Sequence, residues 1–486
     1  MKLKLSWYHV LIVMVTVFFG GMLSTRPVHA DDSLQQVKEK GVLTVATSPD
    51  YPPFGFEANQ NGKTKEVGVD IDIAKQIAKD LGVKLKIKNM DFGSVLVAVQ
   101  TGKADMAIGG INPTPERKAN VDFSDNYYIG GQSFLINKSD AAKITNQNDL
   151  KNLKIGTKVG SLPYNLAKKN IPSAKVVGMD HTVDTVLALK SGKVNAIGLE
   201  KPVALGYAES DPDLKIIKSD YKLDNDTLGA AIAVKKGDTS LLNAVNGSIK
   251  QIKQENLIPQ YFKSAGKYMK VNVADTSMWH YWHYFYKGIQ YTLLISVVSV
   301  FAGLILGIIL VLMKLGDLKI LKWIANSYVE VVRGTPMMVQ VLLVYFGLGA
   351  LINIPALLAG MIAVSLNSGA YICEIIRGGI NSIDKGQHEA AKSLGLSKFD
   401  EMKSVILPQA FKNIWPALGN EFISVIKESS IVSIIGITEL TYELNIVRAD
   451  TYRGVAPIVV VMALYFILTF TLSRGLSYLE KKMKYD

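Results

Sequence analysis

Long apolar runs crowd the carboxyl-terminal part of this chain and limit its fold more than any other feature. Segments of a length suited to crossing a bilayer lie near Ile289–Met313, Val339–Leu351, Ala356–Ile376, Ile414–Ile437 and Ala456–Leu472, about five in all. Apolar residues make up 49% of the 486, more than a soluble protein usually carries, so part of the chain is membrane-embedded. The formal net charge of +12 has the same origin. With the preceding region outside the cell and an odd number of spans, Lys314, Lys319, Lys322, the loop from Arg377 to Lys412 and the segment from Arg474 to Lys484 all fall in the cytoplasm, where positive charge collects beside membrane spans. No basic stretch is interleaved with aromatics and no zinc-finger spacing occurs, which argues against nucleic acid as a partner.

The amino terminus has Lys2 and Lys4, an apolar run from Val10 to Phe19, and Val28-His29-Ala30 before Asp31 and Asp32. That is the layout of a secretory signal over residues 1–30, with an uncleaved anchor as the alternative. Either places the following residues outside the cytoplasm. Cys373 is the one cysteine and lies in an apolar segment, so an intrachain disulfide or a CxxC pair is excluded. His280 and His283 stand among Trp279, Tyr281, Trp282, Tyr284 and Tyr286, the composition of an interfacial aromatic belt rather than of a metal site. No metal or cofactor is expected. Residues 267–288 read as a linker with this aromatic segment, and 289–486 as the transmembrane domain.

Residues 31–266 alternate short β-rich runs with helical patterns, an α/β region. Thr101-Gly102-Lys103-Ala104-Asp105 recurs as Ser191-Gly192-Lys193-Val194-Asn195, and Leu43–Thr47 is echoed by Leu153–Thr157. Two echoes in the same order predict two lobes of similar design, about 41–132 with 230–262, and about 133–229. Ligands of open α/β sheets bind beyond the carboxyl ends of the strands. That rule puts Gly110 and Asn112 of one lobe opposite Glu200 of the other. Thr114-Pro115-Glu116-Arg117 reads as a helix start with Thr114 as N-cap, and sets Arg117 beside the crevice. A free amino acid needs a bidentate cation, an anion and a surface for its side chain. Arg117, Glu200 and the aromatics Tyr51 and Phe92 supply them.

From Gly41 to Phe262 the region resembles the family 3, or polar amino-acid, solute-binding proteins, most closely the glutamine-type members. The matching residues are Val45-Ala46-Thr47, Tyr51-Pro52-Pro53-Phe54, Gly68-Val69-Asp70-Ile71-Asp72, Met90-Asp91-Phe92, Gly110 to Arg117, and Asp122-Phe123-Ser124-Asp125. The resemblance implies a two-lobed periplasmic-binding fold with Arg117, Gly110 and Asn112 on the substrate carboxylate and Glu200 on its ammonium. It also implies Tyr51 and Phe92 against the side chain, with Lys158 and Ser161 contributing from the second lobe. Ser48 stands where an aspartate often contacts the side chain, Asn112 where Thr or Ser is usual, and Val69 where a larger residue is common. The lost carboxylate at position 48 points to an uncharged polar substrate such as glutamine or asparagine, although Asp50 is close enough to substitute.

In the membrane half, Glu389-Ala390-Ala391, then Gly395, Val405 and Leu407-Pro408 resemble the EAA motif of ATP-binding-cassette importer permeases. The spacing predicts a short helix ending at a left-handed Gly395, followed by a second element. The Tyr328–Gln340 segment, with its Arg333-Gly334-Thr335-Pro336 core, and Leu418–Ser424 also resemble amino-acid permeases of the histidine/glutamate type. This resemblance implies a homodimer in the cell membrane, each copy gripping a separate cytoplasmic ATPase through the EAA loop. Glu421, Lys427 and Glu428 are ionisable groups near a span; they border either a translocation route or the cytoplasmic end of a helix. Gly62-Lys63-Thr64 lacks the earlier glycine of a P-loop, since Glu57 stands there, so the chain is not expected to be an enzyme. A ligand-gated channel would insert its pore between the lobes and carry a filter run; neither feature occurs.

Overall fold

The computed structural model describes residues 32–485 except 61–62, 223, 270–276, 351, 353, 452 and 454. The expected signal over 1–30 and the middle of the 267–288 linker lie outside the described residues.

Two five-stranded sheets built to one plan make up the soluble half. In the first, the order is Lys84–Asn89, Val42–Thr47, Met106–Ala107, Ala233–Lys235, Val121–Phe123; in the second it is Lys175–Met179, Lys154–Lys158, Ala196–Glu200, Gln132–Asn137, Leu214–Lys218. Each begins with three parallel strands and ends with antiparallel pairings. Strands covered by helices on both faces read as nearly unbroken apolar runs. Val42–Thr47 and Ala196–Glu200 are accordingly buried almost throughout. The chain crosses between lobes twice, and the crossing segments pair with each other at Tyr128–Ile129 and Gly229–Ala230, which forms a hinge.

The repeated turn explains why the sequence echoes itself. Gly102 and Gly192 adopt φ +69° and +70°, a conformation that favours glycine. The residue closing each turn then clasps the neighbouring strand from both sides. Asp105 donates its amide to Thr44 O (2.8 Å) and accepts from Thr44 N (2.6 Å), while Asn195 donates to Lys154 O (2.9 Å) and accepts from Lys154 N (3.0 Å).

The membrane half is helical. Met278–Leu315, Ala356–Asn381 and Val455–Lys481 are long and apolar enough to cross a bilayer, and a fourth span is completed if Lys319–Arg333 and Met337–Gly347, bent by 110°, count as one. The expected span at Val339–Leu351 is therefore the second arm of a bent pair. That at Ile414–Ile437 divides into a helix, Leu407–Glu428, and a 3₁₀ segment, Ser429–Ile435, closed by Gly436 at φ 79°. Trp282–Leu315 lies close against Ala356–Asn381 because Gly303 and Gly307 present no side chain. A Cβ at Gly303 would sit 3.1 Å from Gly369 N, and one at Gly307 2.7 Å from Ile372 Cγ2. This is the small-residue spacing through which membrane helices approach one another. Cys373 is fully buried in the same packing.

The soluble half is seated on the membrane half. One buried cluster runs from Met90, Val95 and Ala98 into Val341, Tyr345 and Ile435, and Lys103 Nζ donates to Ile354 O at 3.2 Å. Because the twin turn uses an amide where Asp105 uses a carboxylate, Asp105→Asn should leave the melting of the soluble half within about 0.5 kcal/mol of the parent. Asp105→Ala should cost about 1–2 kcal/mol, visible as a melting shift of roughly 2–8 °C. Equal melting of the Ala and Asn variants in a calorimeter would refute the clasp.

Candidate functional site

Strand ends deliver the charged groups to the space between the lobes. Lys158 and Glu200 end their strands in the second sheet; Ser48 and Asp50 follow Val42–Thr47, and Gly110 and Asn112 follow Met106–Ala107 in the first. Polar contacts close the lobes on each other. Tyr51 Oη donates to Glu200 Oε2 at 2.5 Å, Arg117 Nη2 donates to Gly160 O at 3.0 Å, and Lys158 Nζ donates to both Asp50 oxygens at 2.7 and 2.8 Å.

Arg117 sits in the four-residue helix Pro115–Lys118. Thr114 occupies the expected N-cap position with extended backbone, but its side chain makes no capping bond. The guanidinium is held instead by Asn112 O at 2.9 Å and lies 5.4 Å from the centre of the Phe92 ring. Lys158 approaches the same ring at 5.0 Å. Phe92 thus forms a cation platform in addition to an apolar wall.

Two carboxylates in the cleft sit in opposite electrostatic settings. Burial pushes the Glu200 carboxyl up to about 7, against the opposing pull of Tyr51 and Arg117. Burial would also raise Asp50, but Lys158 and His181 beside it outweigh that and hold its carboxyl well below the usual range. His181 Nδ1 lies 3.7 Å from Asp50, whose charge lifts the imidazole above its ordinary value even though burial opposes it. Ser48 Oγ donates to Asp50 Oδ1 at 2.6 Å and Thr182 N to Oδ2 at 3.2 Å. Asp50 is thus ionised, neutralised and fully engaged.

Several residues expected to face the substrate are already engaged by the protein. The Gly110 amide donates to Asp70 Oδ2 at 2.8 Å, and the Asn112 side chain donates to Gly229 O at 3.0 Å. Ser161 Oγ donates to Lys158 O at 2.6 Å and caps the Leu162–Asn170 helix. Gly110 has φ +60°, and a Cβ there would come within 3.0 Å of the Tyr51 ring and 3.4 Å of Glu200 Oε2, so this position has room for glycine alone. Asp70, buried behind Gly110 and pushed by burial up to about 7, had no role assigned from sequence; its place between the apolar Val69 and Ile71 at the start of an amphipathic helix was the available signal. His181 had none.

The remaining sequence candidates lie elsewhere. Glu389 and Ala390 are exposed and Ala391 is buried in the helix Lys385–Ser393; Gly395 follows at φ +76°, and Pro408 stands in the first turn of Leu407–Glu428. Leu394 and Phe399 beside them are 80% and 71% exposed. Glu421 accepts from Ser368 Oγ at 3.1 Å inside the bundle; Glu428 is half-buried, and Lys427 is exposed.

Residues 43–267 match the family of bacterial extracellular solute-binding proteins, family 3, and residues 299–485 match the family of binding-protein-dependent transport system inner membrane components. The chain is 44% identical over 199 residues to a putative glutamine transport system permease protein of Rickettsia bellii (strain RML369-C), which covers 40% of this chain and 91% of that protein. It is 45% identical over 200 residues to an arginine transport system permease protein of Bacillus subtilis (strain 168), covering 41% and 91%. Among solved structures, a substrate-binding protein of an amino acid transporter from Streptococcus pneumoniae Canada MDR_19A, bound to L-arginine, is 37% identical with a TM-score of 0.47, covering 48% of this chain and 98% of that one.

Arg117→Ala should weaken binding of a free amino acid by about a thousandfold or more, because the partner carboxylate is left desolvated; calorimetric affinity within tenfold of the parent would refute the placement. If Glu200 receives a ligand ammonium, as the sequence resemblance implies, a proton on its carboxyl competes with that ligand. In the closed cleft that proton is held up to a pH of about 7, so affinity should fall as pH drops from 8 to 5, by up to about tenfold per unit below 7. Glu200→Gln should bind weakly and lose this dependence; an unchanged pH profile in that variant would remove Glu200 from ammonium recognition.

Proposed function

We propose that this chain, which belongs to the binding-protein-dependent transport system inner membrane components and carries a family 3 solute-binding domain ahead of its permease domain, imports an uncharged polar amino acid, with glutamine the leading candidate. Both parts are transporter components, and the permease requires a separate ATPase. The bound amino acid places its carboxylate on Arg117 and its ammonium on Glu200. Its side chain then meets Asp50 and Lys158.

The Asp50–Lys158 ion pair carries the choice of substrate. The relatives divide between glutamine and arginine systems by name, so resemblance alone does not decide. A cationic side chain would need a free carboxylate, yet Asp50 is already neutralised by Lys158 at 2.7 Å, with His181 on its other side. A neutral amide can accept from Lys158 and donate to Asp50 without leaving either charge unpaired, whereas a guanidinium would have to displace the lysine and bury it without its partner.

The short helix Lys385–Ser393 with its left-handed Gly395 has the shape of a lug for a cytoplasmic ATPase. The exposed Leu394 and Phe399 supply the apolar surface such a contact needs. Two copies of the chain then form the translocation path, with the binding domain outside the cell. Substrate closes the lobes, the closed form presses on the permease, and ATP binding opens the cavity inward.

Titration of the full chain in lipid nanodiscs against the common amino acids tests the reading. Glutamine or asparagine should bind at least about a hundredfold more tightly than arginine or lysine, and Lys158→Met, which frees Asp50, should reverse the order. Arginine binding more tightly than glutamine in the parent would overturn it.

A further inference from the structure

Helix Leu440–Thr451 of the membrane half touches both lobes of the binding domain at once. Tyr442 Oη donates to Glu57 Oε1 at 3.0 Å, and Glu57 lies on the Gly55–Gln60 strand of the first lobe. Three residues further along, Asn445 Nδ2 meets His181 Nε2 at 3.3 Å. Three beyond that, Arg448 Nη2 donates to Asp184 Oδ1. His181 and Asp184 flank the start of the Thr182–Lys190 helix in the second lobe. Arg448 is nearly buried, with 9% of its surface exposed, and its Nη1 is also braced by Asn445 Oδ1 at 3.4 Å.

Twelve helical residues span about 18 Å as one stiff rod. The two lobes are joined by the paired crossing segments at Tyr128–Ile129 and Gly229–Ala230, and opening the cleft about them moves Asp184 relative to Glu57. A rigid helix can satisfy Glu57 and Asp184 together only at one lobe separation. In this structure that separation is the closed one, with Lys158 on Asp50 and Tyr51 on Glu200. His181 also stands between Asp50 of the cleft and Asn445 of the helix, so one side chain borders both. A cavity lined by Ser48, Asp50, Met90, His181, Ser433 and Asn445 opens at this same junction.

We propose that the Leu440–Thr451 helix measures closure of the binding domain, and that the Arg448–Asp184 pair is the positioning contact through which the second lobe reports to the permease. The inference rests on the importer reading above. The pair touches no substrate; it acts by making the docked state available only to closed lobes. Coupling of this kind between two sites has a typical size of five- to 150-fold.

The test uses the full chain with its ATPase partner in nanodiscs, glutamine as the added amino acid, and ATP hydrolysis as the readout. Arg448→Asp and Asp184→Arg should each lower glutamine-stimulated hydrolysis by about tenfold or more, and the double exchange should restore it to within about threefold of the parent. Full stimulation in the single variants, or no rescue by the exchange, overturns the proposal. A second measurement does not depend on reversing charges. With Asp184→Cys and Arg448→Cys together and the native Cys373 buried in the bundle, cross-linking by a short bismaleimide, which spans the gap left by the two longer side chains, should accelerate when glutamine is added, and an equal rate with and without it overturns the proposal. If glutamine and every other amino acid fail to stimulate the parent, the importer reading falls and takes this inference with it. If the parent responds and the variants respond equally, only the closure reader falls.

Discussion

A lysine from one lobe neutralises an aspartate from the other, and the geometry of the cleft is organised around that contact. Lys158 reaches Asp50 at 2.7 Å in an almost dry setting. Such a pair returns little net stability after its desolvation cost, but breaking it leaves a buried charge, so it strongly selects the arrangement in which both partners are present. Its first consequence is mechanical, since the two lobes meet there. Its second belongs to the proposed reading: with Asp50 already satisfied, Arg117 and Glu200 would read the charged backbone of an amino acid and the neutral pair its side chain, so that closure and selectivity would share one interaction.

Glycine decides how the closed domain meets the membrane half. A Cβ on Gly436 would collide with the carbonyl of Asn89, and Asp91 N donates to Ile434 O at 3.4 Å just beside it. The left-handed Gly436 ends the 3₁₀ segment after Leu407–Glu428 and lets the loop lie directly against backbone of the first lobe. In the helical bundle, Gly303 and Gly307 do the same between Trp282–Leu315 and Ala356–Asn381. The domain thus meets the bundle through close backbone contacts, which deform little.

Much of this architecture is legible in the sequence because the signals are local. The twin turns advertise two lobes, since each needs a left-handed glycine and a short polar residue to clasp the neighbouring strand. Strand ends brought Asp50, Lys158, Glu200 and the Gly110–Arg117 segment to one cleft for a general topological reason. Gly395 and the helix before it likewise follow from short-range patterning. What could not be read is long-range pairing. Nothing near Lys158 announces that its partner lies 108 residues away, and Asp70 looks like an ordinary first-turn acid until it is found buried behind Gly110. The pairing of Lys319–Arg333 with Met337–Gly347 across a 110° bend is equally hidden, because hydropathy singles out the apolar arm after Val339 without showing the amphipathic arm before it. Helix Leu440–Thr451 carries Glu443, Asn445 and Arg448 and resembles any polar connection; its significance appears only when both lobes are seen against it.

Transport itself is the most direct check. The full chain, reconstituted in liposomes with its ATPase and supplied with ATP on the ATPase side, should concentrate radiolabelled glutamine against its gradient. Excess unlabelled asparagine should compete, and excess arginine should leave uptake nearly unchanged. Uptake blocked by arginine, or no ATP-dependent accumulation of any uncharged polar amino acid, would contradict the account.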